Sequence, residues 1–252
     1  MRIDLNADLG ESFGAWRMGD DLAMLELVTS ASIACGFHAG DPLTIRRTAA
    51  AAVERGVVVG AHVSYPDLAG FGRRLLDVGP DDLAADVLYQ LGALDAMCRV
   101  AGGRVRYVKA HGALYHAIGR DEVQAGAFVA AVAAYDRSLT VLGTAGSVVL
   151  RLAAAAGLPT ASEAFADRGY APDGALVPRG DSGDVLTDTA AVVAQALSLA
   201  RGGRVAGGDG DHVAVQADSL CLHGDTPGAV EHARAVRAAL VSAGATLRAF
   251  VD

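Results

Sequence analysis

Lysine is almost missing from this chain. Of its 21 lysine and arginine residues, one, Lys109, is a lysine. Arginine serves as a solvated surface cation, but it cannot give up its proton or act as a compact ammonium donor. The surviving lysine is therefore read as a chemical residue. The same scarcity excludes a standard P-loop, which needs lysine followed by Ser or Thr; Lys109 is followed by Ala110. Cysteine is scarce too. Three cysteines, an odd number in a chain this long, make no disulfide framework. Cys35 and Cys221 fall inside or near strands and read as small buried hydrophobes rather than nucleophiles. No apolar run approaches the ~20 residues that span a bilayer, and Met1-Arg2-Ile3-Asp4 has no apolar signal region. No membrane role and a cytoplasmic location are the expectations. Positive charge is in deficit: 29 acidic residues against 21 basic ones give −8, which disfavours nucleic acid as a partner because phosphate binding needs a basic face. Aromatics are only 5% of the chain.

What is present is an alternation of strand and helix. Short apolar runs at Ile3–Leu9, Ala31–Phe37, Val57–His62, Val105–Ala110, Leu139–Gly143, Thr160–Ala164 and Ser219–His223 read as strands. Most lack clean alternation, as expected for parallel strands buried on both faces. Helical patterns lie between them at Leu43–Arg55, Asp81–Ala101, Asp121–Tyr135, Ser147–Ala156, Asp184–Arg201 and Gly228–Ala243. Asp41-Pro42 and Thr226-Pro227 each offer a cap and a first-turn proline. A small hairpin is predicted over Val205–Val215, around Gly207-Gly208-Asp209-Gly210. About seven βα units without a Gly-rich dinucleotide turn favour a parallel (β/α) barrel over an open doubly wound sheet. With no linker or low-complexity tract, residues 1–252 read as one domain.

Ionisable residues collect where strands end. The first strand delivers Asn6, Asp8 and Glu11, the second His38 and Asp41, and the third His62 and Asp67. The fourth delivers Lys109, His111 and Tyr115, the sixth Glu163, Asp167 and Arg168, and the last His223 and Asp225. C-terminal strand ends line one mouth of a parallel barrel, where sites are built. Four of seven histidines fall there. The candidate catalytic set is Asp8, His38, His62, Lys109, His111, Glu163, Asp167 and His223. Substrate-binding candidates are Asn6, Arg73, Arg74, Tyr115 and Arg168, the arginine pair because a guanidinium grips a carboxylate in a bidentate pair. Asp8, His62 and His111 are a candidate set for a divalent metal; a metal-free acid/base site built on His, Asp and Lys109 stands equally open. Asp41 and Asp225 are alternatively helix caps. His116 and His232 are placed on helix or loop surface with no role, and His212 is read as structural.

Taken together, Asp4-Leu-Asn-Ala-Asp-Leu-Gly-Glu11, Ile33-Ala-Cys-Gly-Phe-His-Ala-Gly-Asp41-Pro42, Gly70-Phe-Gly-Arg-Arg74, His111-Gly-Ala-Leu-Tyr115, Glu163-Ala-Phe-Ala-Asp-Arg168 and Cys221-Leu-His-Gly-Asp225 resemble the LamB/YcsF family over nearly the whole chain. Ala7, Val63-Ser64, Ala110 and His116 depart from that pattern. The resemblance implies a seven-stranded α/β barrel of the glycoside hydrolase/deacetylase type. It also implies an ATP-dependent 5-oxoprolinase activity, in which the lactam of 5-oxo-L-proline is opened to L-glutamate, shared with B and C partner subunits. ATP would be a co-substrate handled with those partners. Two other readings stay open: a stand-alone metal-dependent hydrolase or deacetylase, and a non-catalytic lactam-binding subunit. Assembly with further copies of itself is compatible with either. In the enzymatic readings Lys109→Ala is expected to abolish turnover and leave the fold intact.

Overall fold

The structure, a computed structural model, describes residues 1–202, 204–206 and 212–251. Strands β1 (Arg2–Leu9), β2 (Ser30–Ala34), β3 (Val58–Val63), β4 (Val105–Ala110), β5 (Thr140–Thr144) and β6 (Thr160–Phe165) pair in sequence, all parallel. Strands β7 (Arg204–Ala206) and β8 (His212–Ala214) form a separate antiparallel ribbon. Strand β9 (Ser219–His223) then pairs with both β6 and β1, setting Asn6 opposite Cys221 and Asp8 opposite His223. This pairing closes a seven-stranded parallel barrel, as the alternation of elements predicts. A short β10 (Thr246–Leu247) lies beside the start of β1. Helices α1 (Asp21–Leu25), α2 (Pro42–Glu54), α3 (Pro80–Val100), α4 (Gly112–Ile118), α5 (Glu122–Tyr135), α6 (Val148–Ala155), α7 (Thr189–Ala200) and α8 (Ala229–Ser242) connect the strands. No helix is long and apolar enough to cross a membrane among the described residues.

Strand β1 shows how the sequence sorts its side chains. Period-two alternation sends Ile3, Leu5, Ala7 and Leu9 into the apolar core and Asp4, Asn6 and Asp8 to the opposite face. That face is the barrel interior, and it is polar. Asp4 accepts from Thr29, Ser30 and Ser219. One tier up, Asn6 donates to Ser30 and Tyr107 and accepts from Ser32. Asp8 begins the tier at the mouth. The Tyr107 ring crosses the interior where β3 carries Gly60; a Cβ there would lie 2.1 Å from the ring. Helix α3 follows the expected pattern, burying Leu83, Val87, Leu91, Leu94 and Cys98 along one face. It also buries Gln90, whose amide donates to Ser64 O and accepts from Ser64 N, holding the segment after β3.

Several boundaries differ from the sequence reading. Strand β2 stops at Ala34, and Gly36 (φ 98°) turns the chain, so His38 lies in that turn and not at a strand tip. Helix α7 starts at Thr189 rather than near Asp184. Asp188 caps it by accepting from Ala191 N, while Asp184 O is taken by the Gly169 N–H and the Arg168 side chain. Asp41 caps α2 as expected, accepting from Leu43 N and Thr44 N. The Thr226-Pro227 start signal is not used: Gly228 (φ 82°) is the N-cap of α8, and Asp225 pairs with Arg73 instead of capping. His232 is buried on α8 beside Thr189 of α7, not on the surface. The strands of the predicted hairpin are present as β7 and β8, with its Gly207–Gly210 turn and the His212 side chain outside the described residues.

Candidate active site

The uppermost interior tier centres on Lys109, which is 1% exposed. Strand β4 delivers it between β3 and β5, and its Nζ lies 2.9 Å from Asp8 Oδ1, 3.0 Å from Glu163 Oε2 and 3.2 Å from Cys221 Sγ. The Phe165 ring is 5.2 Å from the ammonium. Burial alone would discharge the lysine, but the neighbouring carboxylates outweigh it and keep its pKa well above the usual range. Burial likewise pushes Asp8 up, and His62 and Lys109 together overcome it, leaving the carboxyl well below the ordinary range. Glu163 stays raised because its desolvation exceeds what Lys109 returns. Cys221 is a buried thiol pushed well above its normal value by desolvation and by Asp8, and Cys35 is shifted the same way by burial; neither is a nucleophile.

Beside this tier three imidazoles meet. His62, at the end of β3, has Nε2 3.3 Å from Asp8 Oδ2 and 3.0 Å from His111 Nδ1. His38 stacks on His111 with centroids 3.8 Å apart, and its Nε2 lies 3.2 Å from Glu11 Oε1. His111 Nε2 donates to Phe71 O at 2.8 Å, which fixes that tautomer and leaves Nδ1 as an acceptor. Phe71 holds a left-handed backbone, φ 54°, unusual for a bulky residue, and this conformation belongs to the loop that presents its carbonyl. Gly72 follows it. A Cβ at Gly72 would meet Ser64 Oγ at 2.3 Å and His111 Cδ2 at 2.8 Å, so the loop can press onto the imidazoles only with glycine there. Desolvation first, and the neighbouring histidines second, hold His38 and His111 well below the usual imidazole value, so both are neutral. Glu11 is raised by burial and then by Asp225 and Asp8. His38 Nδ1 and His62 Nδ1 have no hydrogen-bond partner among the described residues, and an unpaired buried polar atom costs about 1–3 kcal/mol.

A third group completes the mouth. His223 Nδ1 donates to Asp167, 3.0 Å away, and the His223 backbone N–H donates to the same carboxylate at 2.8 Å. Burial raises Asp167, but His223 reverses it and holds the carboxyl below its usual range. The dyad therefore presents Nε2 as its basic nitrogen, oriented by the carboxylate. A cavity of about 50 Å³ is lined by Asp8, His62, Lys109, His111, Tyr115 and His223. A larger one, about 230 Å³, shares Tyr115, His116, Phe165 and Leu176 with it and reaches Glu163 and the start of α6.

The structure thus brings Asp8, His62, Lys109, His111, Glu163, Asp167 and His223 to one mouth, with His38 packed behind His111. Tyr115 lines both cavities and shares a 2.7 Å hydrogen bond with Thr144. Arg73 reaches the smaller cavity while paired to Asp225 at 2.8 Å and lying over Phe71. Arg168 lines it too, with its guanidinium donating to Asp184 O and Val177 O. Two candidates lie elsewhere. Arg74 turns away to bind Asp67, and Asn6 sits one tier deeper, fully engaged with Ser30, Ser32 and Tyr107. For the metal set, Glu11 is the carboxylate grouped with His38, His62 and His111, while Asp8 lies between His62, 3.3 Å away, and Lys109. Sequence reading misses Arg179, which lines the smaller cavity with no ion-pair partner within 4 Å among the described residues. Its Pro178-Arg179-Gly180 setting in an irregular loop carries no periodic signal. His116, assigned no role, lines both cavities.

Comparison with known proteins agrees with this architecture. The 5-oxoprolinase A subunit of Streptomyces avermitilis is 58% identical over 248 residues, 98% of this chain and 99% of that protein. The 5-oxoprolinase A subunit of Paracidovorax citrulli is 58% identical over 250 residues, 99% of this chain and all of that protein. The crystal structure of the lactam utilization protein from Thermus thermophilus superposes with a TM-score of 0.93 at 46% identity, covering 99% of this chain and 100% of that one. The family model described as LamB/YcsF matches residues 3–252. From the first barrel strand to the C-terminal segment, the chain belongs to the LamB/YcsF family.

Proposed function

We propose that this chain is the A component of an ATP-dependent 5-oxoprolinase, opening the lactam of 5-oxo-L-proline to L-glutamate together with B and C subunits. The observation that carries the reading is Lys109. A buried ammonium between two carboxylates at a barrel mouth is suited to stabilising negative charge on a lactam oxygen, and relatives 58% identical are named as 5-oxoprolinase A subunits. A lactam is a resonance-stabilised amide with a poor leaving group. ATP, when bound, supplies phosphoryl activation of the lactam oxygen. The cations that face the cavity and suit anionic groups are Arg73, Arg168 and Arg179.

The remaining work falls to this chain's own residues. Asp8, its Oδ2 3.3 Å from His62 Nε2, is positioned to take a proton from attacking water. His223, oriented by Asp167, is positioned to receive that proton on its basic Nε2 and pass it to the departing nitrogen as the ring C–N bond breaks. Arg179, without an ion-pair partner among the described residues, is positioned to hold the substrate carboxylate, with Arg73 beside it.

One observation favours a stand-alone metal-dependent hydrolase: the buried Glu11, His38, His62 and His111 cluster. A single experiment separates the two readings. Glutamate release from 5-oxoproline plus ATP is measured with this chain alone, with B and C subunits alone, and with all three. Glutamate only from the full mixture is expected. No glutamate from folded, assembled partners would sink the substrate assignment, and ATP-independent amide hydrolysis by this chain alone would install the hydrolase.

A further inference from the structure

Glu11, His38, His62 and His111 come from four separate places: the segment after β1, the turn after β2, β3 itself, and the residue following β4. One donor atom from each lies within 4.8 Å of all the others, and all four residues are buried. The separations are 3.0 Å from His62 Nε2 to His111 Nδ1, 3.2 Å from His38 Nε2 to Glu11 Oε1, and 3.8 Å from His111 Nδ1 to Glu11 Oε1. An ion held tetrahedrally by nitrogen and carboxylate oxygen at about 2.0–2.2 Å requires donors roughly 3.3–3.6 Å apart. These three separations bracket that spacing, and the other three lie within 4.8 Å, so closing the shell draws the donors together by up to about 1 Å.

The local bonding points the same way. The Phe71 carbonyl takes the outer nitrogen of His111 and turns the Nδ1 lone pair into the cluster; proteins orient metal-ligating imidazoles by this kind of bond. Glu11 has no Lys or Arg within 4 Å among the described residues, whereas Asp8 has Lys109. The Glu11 carboxyl is thus buried beside imidazoles with no Lys or Arg within 4 Å among the described residues to balance its ionised form, a balance that a bound cation would supply.

We propose that Glu11, His38, His62 and His111 bind one divalent transition-metal ion of the zinc class in a closed, four-donor site. Three imidazoles and one carboxylate select such an ion over magnesium or calcium, which take oxygen shells. Four protein donors fill a tetrahedral shell, the arrangement of structural rather than catalytic zinc. The ion's work is to tie the ends of β1, β2, β3 and β4 together behind the cavity and to fix His62 and His111 as its wall. This proposal stands independently of the reaction assigned to the cavity.

The test uses the full chain, stripped with a chelator and then titrated with Co²⁺ by visible absorption and with Zn²⁺ by calorimetry. One equivalent of Co²⁺ is expected, with the intense visible bands of a tetrahedral complex, displaced by Zn²⁺ and accompanied by a rise in Tm. Glu11→Gln, nearly isosteric, and His38→Gln are each expected to weaken binding at least ~100-fold, whereas His116→Ala leaves it unchanged. Absence of stoichiometric binding, the weak spectrum of an octahedral ion, or wild-type affinity in both Glu11→Gln and His38→Gln would overturn the site. The wild-type titration decides the matter even where a variant does not fold.

Discussion

At the Lys109 ammonium, Asp8 lies 2.9 Å away on one side and Glu163 3.0 Å away on the other, all three buried. Removing one partner of a buried ion pair typically costs about 3–5 kcal/mol, because the remaining charges are stranded. The composition-based expectation that Lys109→Ala leaves the fold intact therefore needs revising: Lys109→Met is expected to lower stability by about that amount and turnover by at least ~10²–10³-fold. Chemical denaturation and glutamate release measure the two effects separately. Lys109→Met/Glu163→Gln should regain part of the stability and none of the turnover; a fully active single variant would remove Lys109 from the chemistry. Arg179 is expected to act on binding. Arg179→Gln should raise KM for 5-oxoproline roughly 10–100-fold with kcat nearly constant, the size of one lost hydrogen bond to a charged group. It should also erase the preference for 5-oxoproline over 2-pyrrolidinone, the same lactam without the carboxylate. An unchanged KM would assign the carboxylate to Arg73 or Arg168. Lys109, His62 and His223 are legible from sequence because a parallel strand's C-terminal end has a fixed place in the fold. Arg73 and Arg74 are not separable there, since which neighbour faces the cavity depends on the Asp67 carboxylate that captures Arg74.

Element boundaries are legible where a side chain makes the boundary and obscure where only backbone does. Asp41 accepts from Leu43 N, Thr44 N, Thr44 Oγ1 and Gly14 N, so it both caps α2 and ties down the segment after β1. Asp41→Ala is expected to cost about 1–2 kcal/mol, at the upper end for a cap because of the additional Gly14 bond; thermal melting of a variant indistinguishable from wild type would show that solvent replaces these bonds. Helix α8 enters through Gly228 in a left-handed conformation, which no cap chemistry at Thr226-Pro227 could announce. Helices α1 and α4 span five and seven residues, too few to establish a 3.6-residue period. Gly60 reads in the sequence only as part of an apolar run, yet the β3–β4 register shifts beside it, between Val59 and Gly60. Its missing side chain is the space occupied by Tyr107. Gly60→Ala should therefore force the ring or the strand aside and cost about 1–3 kcal/mol, visible as a lower denaturation midpoint; no change would mean that the ring moves freely.

For the whole molecule, the barrel follows from the count of βα units, but the polarity of its interior does not. Every second residue of β1 contributes a polar group to the lumen, and each is satisfied by strands distant in sequence: Ser219 for Asp4, Tyr107 for Asn6, Lys109 for Asp8. Closure between β9 and β1 creates those partners, and no local pattern encodes it. The interior has a consequence for stability. Burial raises the Asp4 carboxyl to about 6 from 3.8, against hydrogen bonds from Ser219, Thr29 and Ser30 that pull it down. The folded chain therefore holds this proton more tightly than the unfolded one. The associated stabilisation is complete below pH 3.8 and is lost as pH rises through about 6. The gap corresponds to roughly 3 kcal/mol, at about 1.36 kcal/mol per pH unit. Glu163, also raised, acts in the same sense, whereas Asp167, lowered by His223, adds stability that is lost toward acid. The wild-type pH profile sums these opposing contributions, so Asp4 is isolated by difference. Asparagine accepts fewer of the three hydroxyl bonds, a loss that does not vary with pH. The stability of Asp4→Asn relative to wild type should thus start low in acid and improve by roughly 2–3 kcal/mol between about pH 3.5 and pH 7. Denaturation of both proteins across that range measures it. A difference that stays flat would mean that Asp4 titrates normally in the closed barrel, and that the serine and threonine hydroxyls fully offset its burial.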